Sequence, residues 1–434
     1  MASTPAAVSF TSELPEKEVA DLQLELEAFV VRHAAHHRPV ALVTSGGTVV
    51  DLEKNSVRCL DNFSTGLRGA ISVEEFLKRG YAVVHLWRQG SASPYGRVLS
   101  QSIGIAQANH GVTCESLGLI FAGTDADQEE EMIKAVLEES NDPWLTESNK
   151  HRSLAPASKT PDDGSLALHR RLIHSSRLQR ALRDRSTVVQ EGRLLTVPFR
   201  SVEQYLAKLQ LCAEALRDSN SLAILYLAAA VSDFYIPSDL KSEHKIQSGG
   251  RDALVLELKP VPKVMGLIRE SWAPDAFVVS FKLETDKDIL RQKAQGAIEK
   301  YNVHMVIGNL LDSRHEKVWV LYPTSADSNV SEWPMKQIDR PKRLELDALE
   351  EALLDFVVEQ HFAYISRHWN GTSTTEAAIR NHERLQQKKR QVQRDLFWKR
   401  VRTETLGLAG PLIGAVMTYS ITSLLRNRMM QNSH

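Results

Sequence analysis

Ten residues, LDNFSTGLRG at 60–69, hold two glycines, a serine, a threonine, an asparagine and an arginine immediately before a helical pattern. A second glycine pair, Gly46 and Gly47, closes an apolar run just upstream. Glycine lets a ligand approach the backbone closely, and a helix N-terminus offers unbonded N–H groups to an anion. Gly46, Ser64, Gly66 and Gly69 are therefore candidates for an anion cradle. Glycine-rich turns also precede α/β helices for reasons of chain geometry, so a packing role stands beside the binding role. The spacing is not G-x-G-x-x-G and no Walker lysine follows, which argues against standard dinucleotide and P-loop sites.

Other residues could complete such a site. Lys245 lies in SEHKIQSGG (242–250), a polar loop ending in Gly-Gly, where an ammonium on a flap could meet a polyphosphate or simply be solvated. Asp233 follows a long apolar run, so its carboxylate either meets a ligand or caps a turn. Phe281 could stack on a base or belong to the core, and Asn309 could read a base edge or close a turn. Cys59 lies inside the interesting stretch, but no histidine is near it in sequence and its neighbours read as packing positions.

The elements that must carry these residues alternate between strand and helix. PVALVTSGGT (39–48) reads as a buried strand entering a loop, 66–79 as a helix stopped by Gly80, and YAVVHLW (81–87) as the next strand. Residues 16–36 read as an amphipathic helix and 126–137 as an acidic one, with 138–170 as a mobile insertion. Ser201 and Gln204 form a capping-box pattern opening a helix over 200–216. A central strand is expected at 222–231 and further strands at 254–258, 276–281, 303–308 and 317–322, with helices at 286–300 and 345–360. The fold class expected is α/β: a doubly wound, mostly parallel Rossmann-like sheet with helices on both faces and a helical C-terminal extension. In such sheets ligands sit at the carboxyl ends of strands. Ser45–Thr48, Ser232–Asp233, Phe281–Thr285 and Gly308–Asn309 follow the apolar runs, so they are expected to share one cleft.

Composition narrows the function classes. The 434 residues are 42% hydrophobic and 25% charged with a net charge of −1, so no global field draws the chain to nucleic acid. Three dispersed cysteines, Cys59, Cys114 and Cys212, indicate a reducing compartment rather than a disulfide framework. The N-terminus has no basic region followed by an apolar one, so no secretory signal is expected.

Taken together, VTSGGT…VRCLDNFSTGLRGA, LAAAVSDFYIP, HKIQSGG, SFKLETD and VIGNLL resemble the phosphopantothenate–cysteine ligases of the eukaryotic, monofunctional type. The resemblance runs from about residue 16 to 366, and five motifs in order make it specific. It implies a ligase joining 4′-phosphopantothenate to L-cysteine through an acyl-nucleotide intermediate, in coenzyme A synthesis. It further implies that Gly46, Ser64, Gly66 and Gly69 cradle the triphosphate, while Phe281 and Asn309 hold the nucleoside. Asn62 would contact the substrate and acyl intermediate, and Ala229, Ala230 and Asp233 would line the phosphopantothenate arm. Lys245 would neutralise the triphosphate, and Arg58 would reach the substrate of the neighbouring subunit in a homodimer. ATP is the nucleotide implied, with CTP as the alternative, and Mg²⁺ is expected without named protein ligands. Thr65, Cys59 and Gly308 depart from the residues usual in the family, and none removes a proposed contact.

The last 68 residues lie outside this resemblance. Residues 367–404 read as a basic helical linker, with nine Lys or Arg against four Asp or Glu over 376–404. TLGLAGPLIGAVMTYSITSLL (405–425) holds 21 residues without a charge. A helix of that length spans about 30 Å of hydrocarbon, so a tail anchor on the cytosolic face of an intracellular membrane is expected. A surface or partner-binding helix is the alternative. Otherwise the protein is expected in the cytoplasm. The alternative function is a catalytically inactive homologue serving as a membrane or partner-binding scaffold. A nicotinamide oxidoreductase would need the missing G-x-G-x-x-G turn and a ribose-binding acid.

Overall fold

The structure, a computed structural model, describes residues 9–98, 176–247, 254–323, 333–342, 347–371, 387–388 and 390–399. The N-terminal half runs α1 (Glu16–Ala34), β1 (Val40–Ser45), a hairpin of β2 (Val49–Asp51) and β3 (Cys59–Asp61), α2 (Leu67–Lys78) and β4 (Ala82–Arg88). After α3 (Ser176–Gln190) come β5 (Leu194–Phe199), α4 (Val202–Leu216), β6 (Ala223–Leu227) and a two-stranded patch of β7 (Phe234–Tyr235) and β8 (Lys259–Pro260). The chain continues through β9 (Phe277–Glu284), α5 (Lys287–Tyr301), β10 (Met305–Leu310), β11 (Lys317–Leu321), β12 (Met335–Asp339) and α6 (Ala348–Gly371).

Eight strands form one sheet in the order β12-β11-β10-β9-β6-β1-β4-β5. The six from β10 to β5 are parallel, and β11 and β12 add an antiparallel edge. Taken in chain order, the parallel strands lie 3-2-1-4-5-6, the doubly wound arrangement whose order reverses between β1 and β6. Strand periodicity assigns alternate residues to opposite faces. Val40, Leu42, Val84, Leu225, Val278 and Val306 enter the core beneath α1, α4 and α5. Ala41, Val43, Val83, Tyr226, Val279 and Ile307 enter the core beneath α2, α3 and α6. Helices thus cover both faces, as the alternating sequence pattern requires.

Several boundaries differ from the sequence reading. The central strand stops at Leu227 rather than Val231, because Ala229, Ala230 and Ser232 turn their backbone groups toward the 44–48 turn. Residues 254–258 are not a strand; Leu254 and Val255 are exposed, and only Lys259–Pro260 pair, with β7. Strands β9 and β10 run on to Glu284 and Leu310, so Phe281 and Asn309 lie within strands rather than after them. The hairpin β2–β3 and the edge strands β5 and β12 are additional. Half-exposed LLTVPF and MKQID lack the apolar run of a central strand. The expected helix at 126–137, the 138–170 insertion and the 405–425 segment lie outside the described residues. The capping box holds at one end: Gln204 N donates to Ser201 Oγ at 3.3 Å. The return bond comes from the N–H of Arg200, at 2.9 Å from Gln204 Oε1.

Of the linker, residues 387–388 and 390–399 are helical and lie against α1. Lys388 pairs with Asp218 at 2.5 Å and approaches Glu27 at 3.7 Å, and Lys399 pairs with Asp21 at 2.9 Å. Among the described residues no helix is long and apolar enough to cross a membrane.

Buried neutral histidines give the fold an acid limit. His361 of α6 is fully buried, donating from Nε2 to Ser221 O at 3.0 Å while Nδ1 accepts from Tyr81 OH at 2.8 Å. Burial lowers its pKa from 6.5 to about 4, and burial likewise lowers His33 to about 4 and His85 and His304 to about 3. An unfolded chain binds these protons first, so the stability is complete above pH 6.5 and lost as pH falls toward about 4. Each histidine is expected to cost on the order of 1–2 kcal/mol at pH 5. Thermal melts at pH 7 and pH 5 check this: the melting temperature drops in acid, and His361→Gln reduces the drop. Equal pH sensitivity in wild type and variant would contradict it.

Candidate active site

The carboxyl end of β1 and the residues after β6 are tied together at the point where strand order reverses. Ala230 N donates to Gly46 O at 2.8 Å and Thr48 N to Ala230 O at 3.1 Å. Thr44 Oγ1 accepts from Ala229 N at 3.1 Å, and Thr48 Oγ1 accepts from Ser232 N at 2.9 Å. Asn62 joins this seam, donating from its backbone N to Thr48 O at 3.2 Å and from Nδ2 to Ala230 O at 3.3 Å. Among the described residues its Oδ1 accepts no hydrogen bond. Gly46, Asn62, Ala229 and Ala230 therefore meet in one crevice. Close packing requires the neighbouring glycine, since a Cβ on Gly47 would sit 1.8 Å from Asn62 O.

Beside this seam begins α2. Its N-cap is Gly66 in the left-handed region at φ +71°, with no side-chain cap and no acidic residue in the first turn. Several N–H groups at that end lack intrahelical partners and carry the positive end of the helix dipole. Ser64 Oγ accepts from Gly66 N at 3.4 Å, and Ser45 Oγ donates to Gly66 O at 3.0 Å. A Cβ on Gly69 would lie 2.4 Å from Ser45 Cβ, so this glycine brings helix and strand together. The packing role and the anion-binding role of these glycines are one arrangement, because the close approach is what presents the helix end.

Phe281 and Asn309 lie on the α2 face of the sheet, continuing the rows Phe277–Val279 and Met305–Ile307. Phe281 meets Tyr226 edge-on at 4.9 Å between centroids. Asn309 is 5% exposed; its Oδ1 accepts from the Arg68 guanidinium, and its Nδ2 lies 3.5 Å from Lys282 O. Arg68, in the first turn of α2, also donates to Glu350 Oε1 at 3.1 Å and to Arg314 O at 2.6 Å. Burial pushes the Glu350 carboxyl up, with Arg68 opposing it.

The hairpin and the flap form a third group. Glu53 is fully buried and accepts from Arg58 N at 3.1 Å, Val57 N at 3.3 Å and Ile246 N at 3.3 Å. Burial works against its charge, yet these amides and the Arg58 guanidinium hold its carboxyl below the usual range. Arg58 Nε lies 3.2 Å from Glu53 Oε1, and its guanidinium also donates to Ile246 O. Lys54 N donates to Ser242 O at 2.8 Å and Lys54 Nζ pairs with Glu243 at 3.2 Å. The flap backbone is thereby docked on the hairpin, while Lys245 itself is exposed and in no ion pair among the described residues. Asp233 is exposed and pairs with Lys263 at 3.2 Å. Its neighbour Ser232 touches the seam, but its own carboxylate is not drawn in. Cys59 is an exposed residue of β3.

The sequence reading missed the residues that hold the others. Thr44 anchors Ala229, Glu53 anchors Arg58 and the flap, and Arg68 anchors Asn309, while Thr48, within the expected 45–48 turn, anchors Ser232. A charged residue in the first turn of α2 was the available signal for Arg68, whereas Glu53, in the mixed stretch DLEKNS, offered none. Among the described residues no cluster of three His, Cys, Asp or Glu could hold a metal ion.

Residues 195–337 match the family model described as the DNA/pantothenate metabolism flavoprotein C-terminal domain. The chain is 35% identical over 364 residues to phosphopantothenate–cysteine ligase 1 of Arabidopsis thaliana, covering 82% of this chain and 94% of that protein. It is 34% identical over 355 residues to the phosphopantothenate–cysteine ligase of Homo sapiens, covering 82% of this chain and 96% of that protein. A solved structure of a Cab2 mutant in complex with phosphopantothenate-cysteine superposes with a TM-score of 0.59 at 31% identity, over 82% of this chain and 96% of that one. With near full-length relatives at this identity, and with the motif residues gathered at the switch point, the chain belongs to the phosphopantothenate–cysteine ligase family.

Proposed function

We propose that this protein joins 4′-phosphopantothenate to L-cysteine, giving 4′-phosphopantothenoylcysteine for coenzyme A biosynthesis. The observation that carries this is the meeting of Gly46, Asn62, Ala229 and Ala230 at the β1–β6 switch, beside the uncapped start of α2. A carboxylate is a poor electrophile toward an amine. Its oxygen attacks the α-phosphorus of the nucleotide, and the bond to pyrophosphate breaks. The cysteine nitrogen then attacks the acyl carbon, the C–N bond forms and nucleoside monophosphate leaves with the C–O electron pair. The ammonium proton is released to solvent. The α2 N-terminus with Ser64, Gly66 and Gly69 binds and orients phosphate oxygens. Asn62, fixed by Thr48 and Ala230, contacts the substrate and the acyl intermediate. Lys245 meets the charge that develops on the departing pyrophosphate. Ala229, Ala230 and Asp233 line the pantothenate arm.

ATP is the nucleotide this reading favours, with CTP as the alternative. Mg²⁺ enters as part of the nucleotide substrate, since hard phosphate oxygens suit it and the described protein residues form no cage for it. A homodimer is proposed, with Arg58 acting on the substrate of the neighbouring subunit. Val57 at 62%, Leu60 at 41% and Phe63 at 85% exposure flank Arg58 on the hairpin, an apolar strip that a second copy would cover. The division into a ligase unit over 1–366, a basic linker over 367–404 and a tail over 405–425 remains part of the proposal. So do a cytoplasmic location and attachment of the tail to the cytosolic face of a membrane. Phe397 and Trp398, exposed on the linker helix among basic residues, fit an interfacial position beside such a tail. A reporter fused to residues 367–434 is expected to resist carbonate extraction from membranes; a wholly soluble reporter would contradict the anchor. The ligase itself is tested by nucleotide- and cysteine-dependent product formation from the full chain.

A further inference from the structure

Arg68 belongs to the same turn of α2 as Gly66 and Gly69, yet it points away from the seam. Its guanidinium reaches Asn309 Oδ1 on β10, Glu350 Oε1 on α6 at 3.1 Å and Arg314 O at 2.6 Å. A guanidinium only donates, in a rigid fork. The Asn309 carboxamide must therefore turn its oxygen toward Arg68 and its NH₂ away. Among the described residues that NH₂ group meets only Lys282 O, at 3.5 Å, the far limit of a hydrogen bond. Asn309 is 5% exposed, so its amide cannot be reoriented by solvent.

We infer that Arg68 is a positioning residue for nucleotide selection: it locks Asn309 as a hydrogen-bond donor and fixes the spacing between the phosphate cradle and the base-reading amide. The inference rests on the ligase reading for the nucleotide site. A base placed against Phe281 must then present an acceptor to Asn309 Nδ2. Glu350 balances the Arg68 charge, so Arg68 acts through Asn309 and the helix rather than as a phosphate ligand. One side chain links the two ends of the nucleotide, because its backbone is in the cradle and its fork holds the base reader.

Calorimetric titration of the full chain with MgATP tests this without requiring turnover, with 4′-phosphopantothenate titrated as the control ligand. Arg68→Lys keeps the charge against Glu350 but lacks the fork, and Asn309→Asp keeps a partner for Arg68 while replacing the donor by an acceptor. Both are expected to weaken MgATP binding by roughly 10–100-fold, the loss from unpairing a buried recognition group. Phosphopantothenate affinity is expected to stay within about twofold and the melting temperature of Asn309→Asp to be preserved. MgATP affinity unchanged in both variants would overturn the inference, as would equal losses for both ligands accompanied by a lowered melting temperature. Ligase turnover by wild type measured alongside separates the two ideas: turnover with unaltered nucleotide affinity in the variants sinks only the role of Arg68.

Discussion

The Lys245→Gln enzyme is expected to release pyrophosphate roughly 10²–10³-fold more slowly than wild type, the loss typical of one preorganised electrostatic contact. The lysine is exposed, so the substitution removes no packing. The backbone on its C-terminal side is held through Ile246, whose N–H reaches Glu53 and whose carbonyl accepts from Arg58. The flap therefore stays docked when the charge is removed, and the melting temperature is expected to be unchanged. Glutamine can still hydrogen-bond a phosphate oxygen, so the ground-state affinity falls less than the rate. What is lost is the positive charge that meets pyrophosphate as its negative charge grows. Stopped-flow or coupled pyrophosphate measurement at saturating substrates reads this directly. Near-normal turnover would remove Lys245 from the reaction.

Arg58→Ala and Asn62→Ala enzymes are each expected to be nearly inactive alone, yet an equal mixture should recover activity. Asn62 is fixed within its own subunit by Thr48 and Ala230. Arg58 lies in the hairpin loop just before β3, near exposed Val57 and Leu60, where it is proposed to serve the neighbouring subunit. In a mixed dimer one site carries both defects and the other carries neither. Random exchange makes half of the dimers mixed, so the mixture should regain about a quarter of wild-type activity. No recovery after subunit exchange would argue that Arg58 acts within its own chain, where its guanidinium already pairs with Glu53. Because that pairing also helps hold the flap, melting temperatures of both variants accompany the activity measurement.

Much of this arrangement was legible in residue patterns, and the parts that were not have physical reasons. Central parallel strands buried on both faces leave continuous apolar runs, so β1, β4 and the core of β6 stand out. Edge strands do not: β5 contains Pro198 and β12 carries Lys336, Gln337 and Asp339 on half-exposed backbone. The run at 222–231 reads as one strand because hydropathy cannot tell a ladder from a seam. Ala228–Val231 remain apolar, while the amides of Ala229, Ala230 and Ser232 bond to Thr44, Gly46 and Thr48 instead of to a neighbouring strand's ladder. Residues 254–258 mislead in the opposite direction, since the apolar run LVLEL packs Leu256 and Leu258 against the core without joining a sheet, and leaves Leu254 and Val255 exposed.

The candidate site was legible where glycine carries left-handed backbone, as at Gly46 and Gly66, and at Asn62 through the motif shared with the family. It was not legible where a side chain acts over a long sequence separation. Arg68 and Asn309 are 241 positions apart, and the pairing of Glu53 with Ile246 spans 193. Nothing local says which distant partner each of these residues will meet. Only the fold, by bringing the Arg68 side chain of α2 to Asn309 on β10 and the flap to the hairpin, reveals what they hold.

The most direct test supplies the purified full chain with 4′-phosphopantothenate and Mg²⁺, with ATP or CTP, and with or without L-cysteine. Pyrophosphate, nucleoside monophosphate and product mass are followed together. The ligase reading predicts stoichiometric pyrophosphate and nucleoside monophosphate, with a product of the mass of the cysteine amide only when cysteine is present. ATP is predicted to outperform CTP. A folded protein that forms no amide with either nucleotide would contradict the ligase assignment and favour a scaffold that has kept the fold without the reaction.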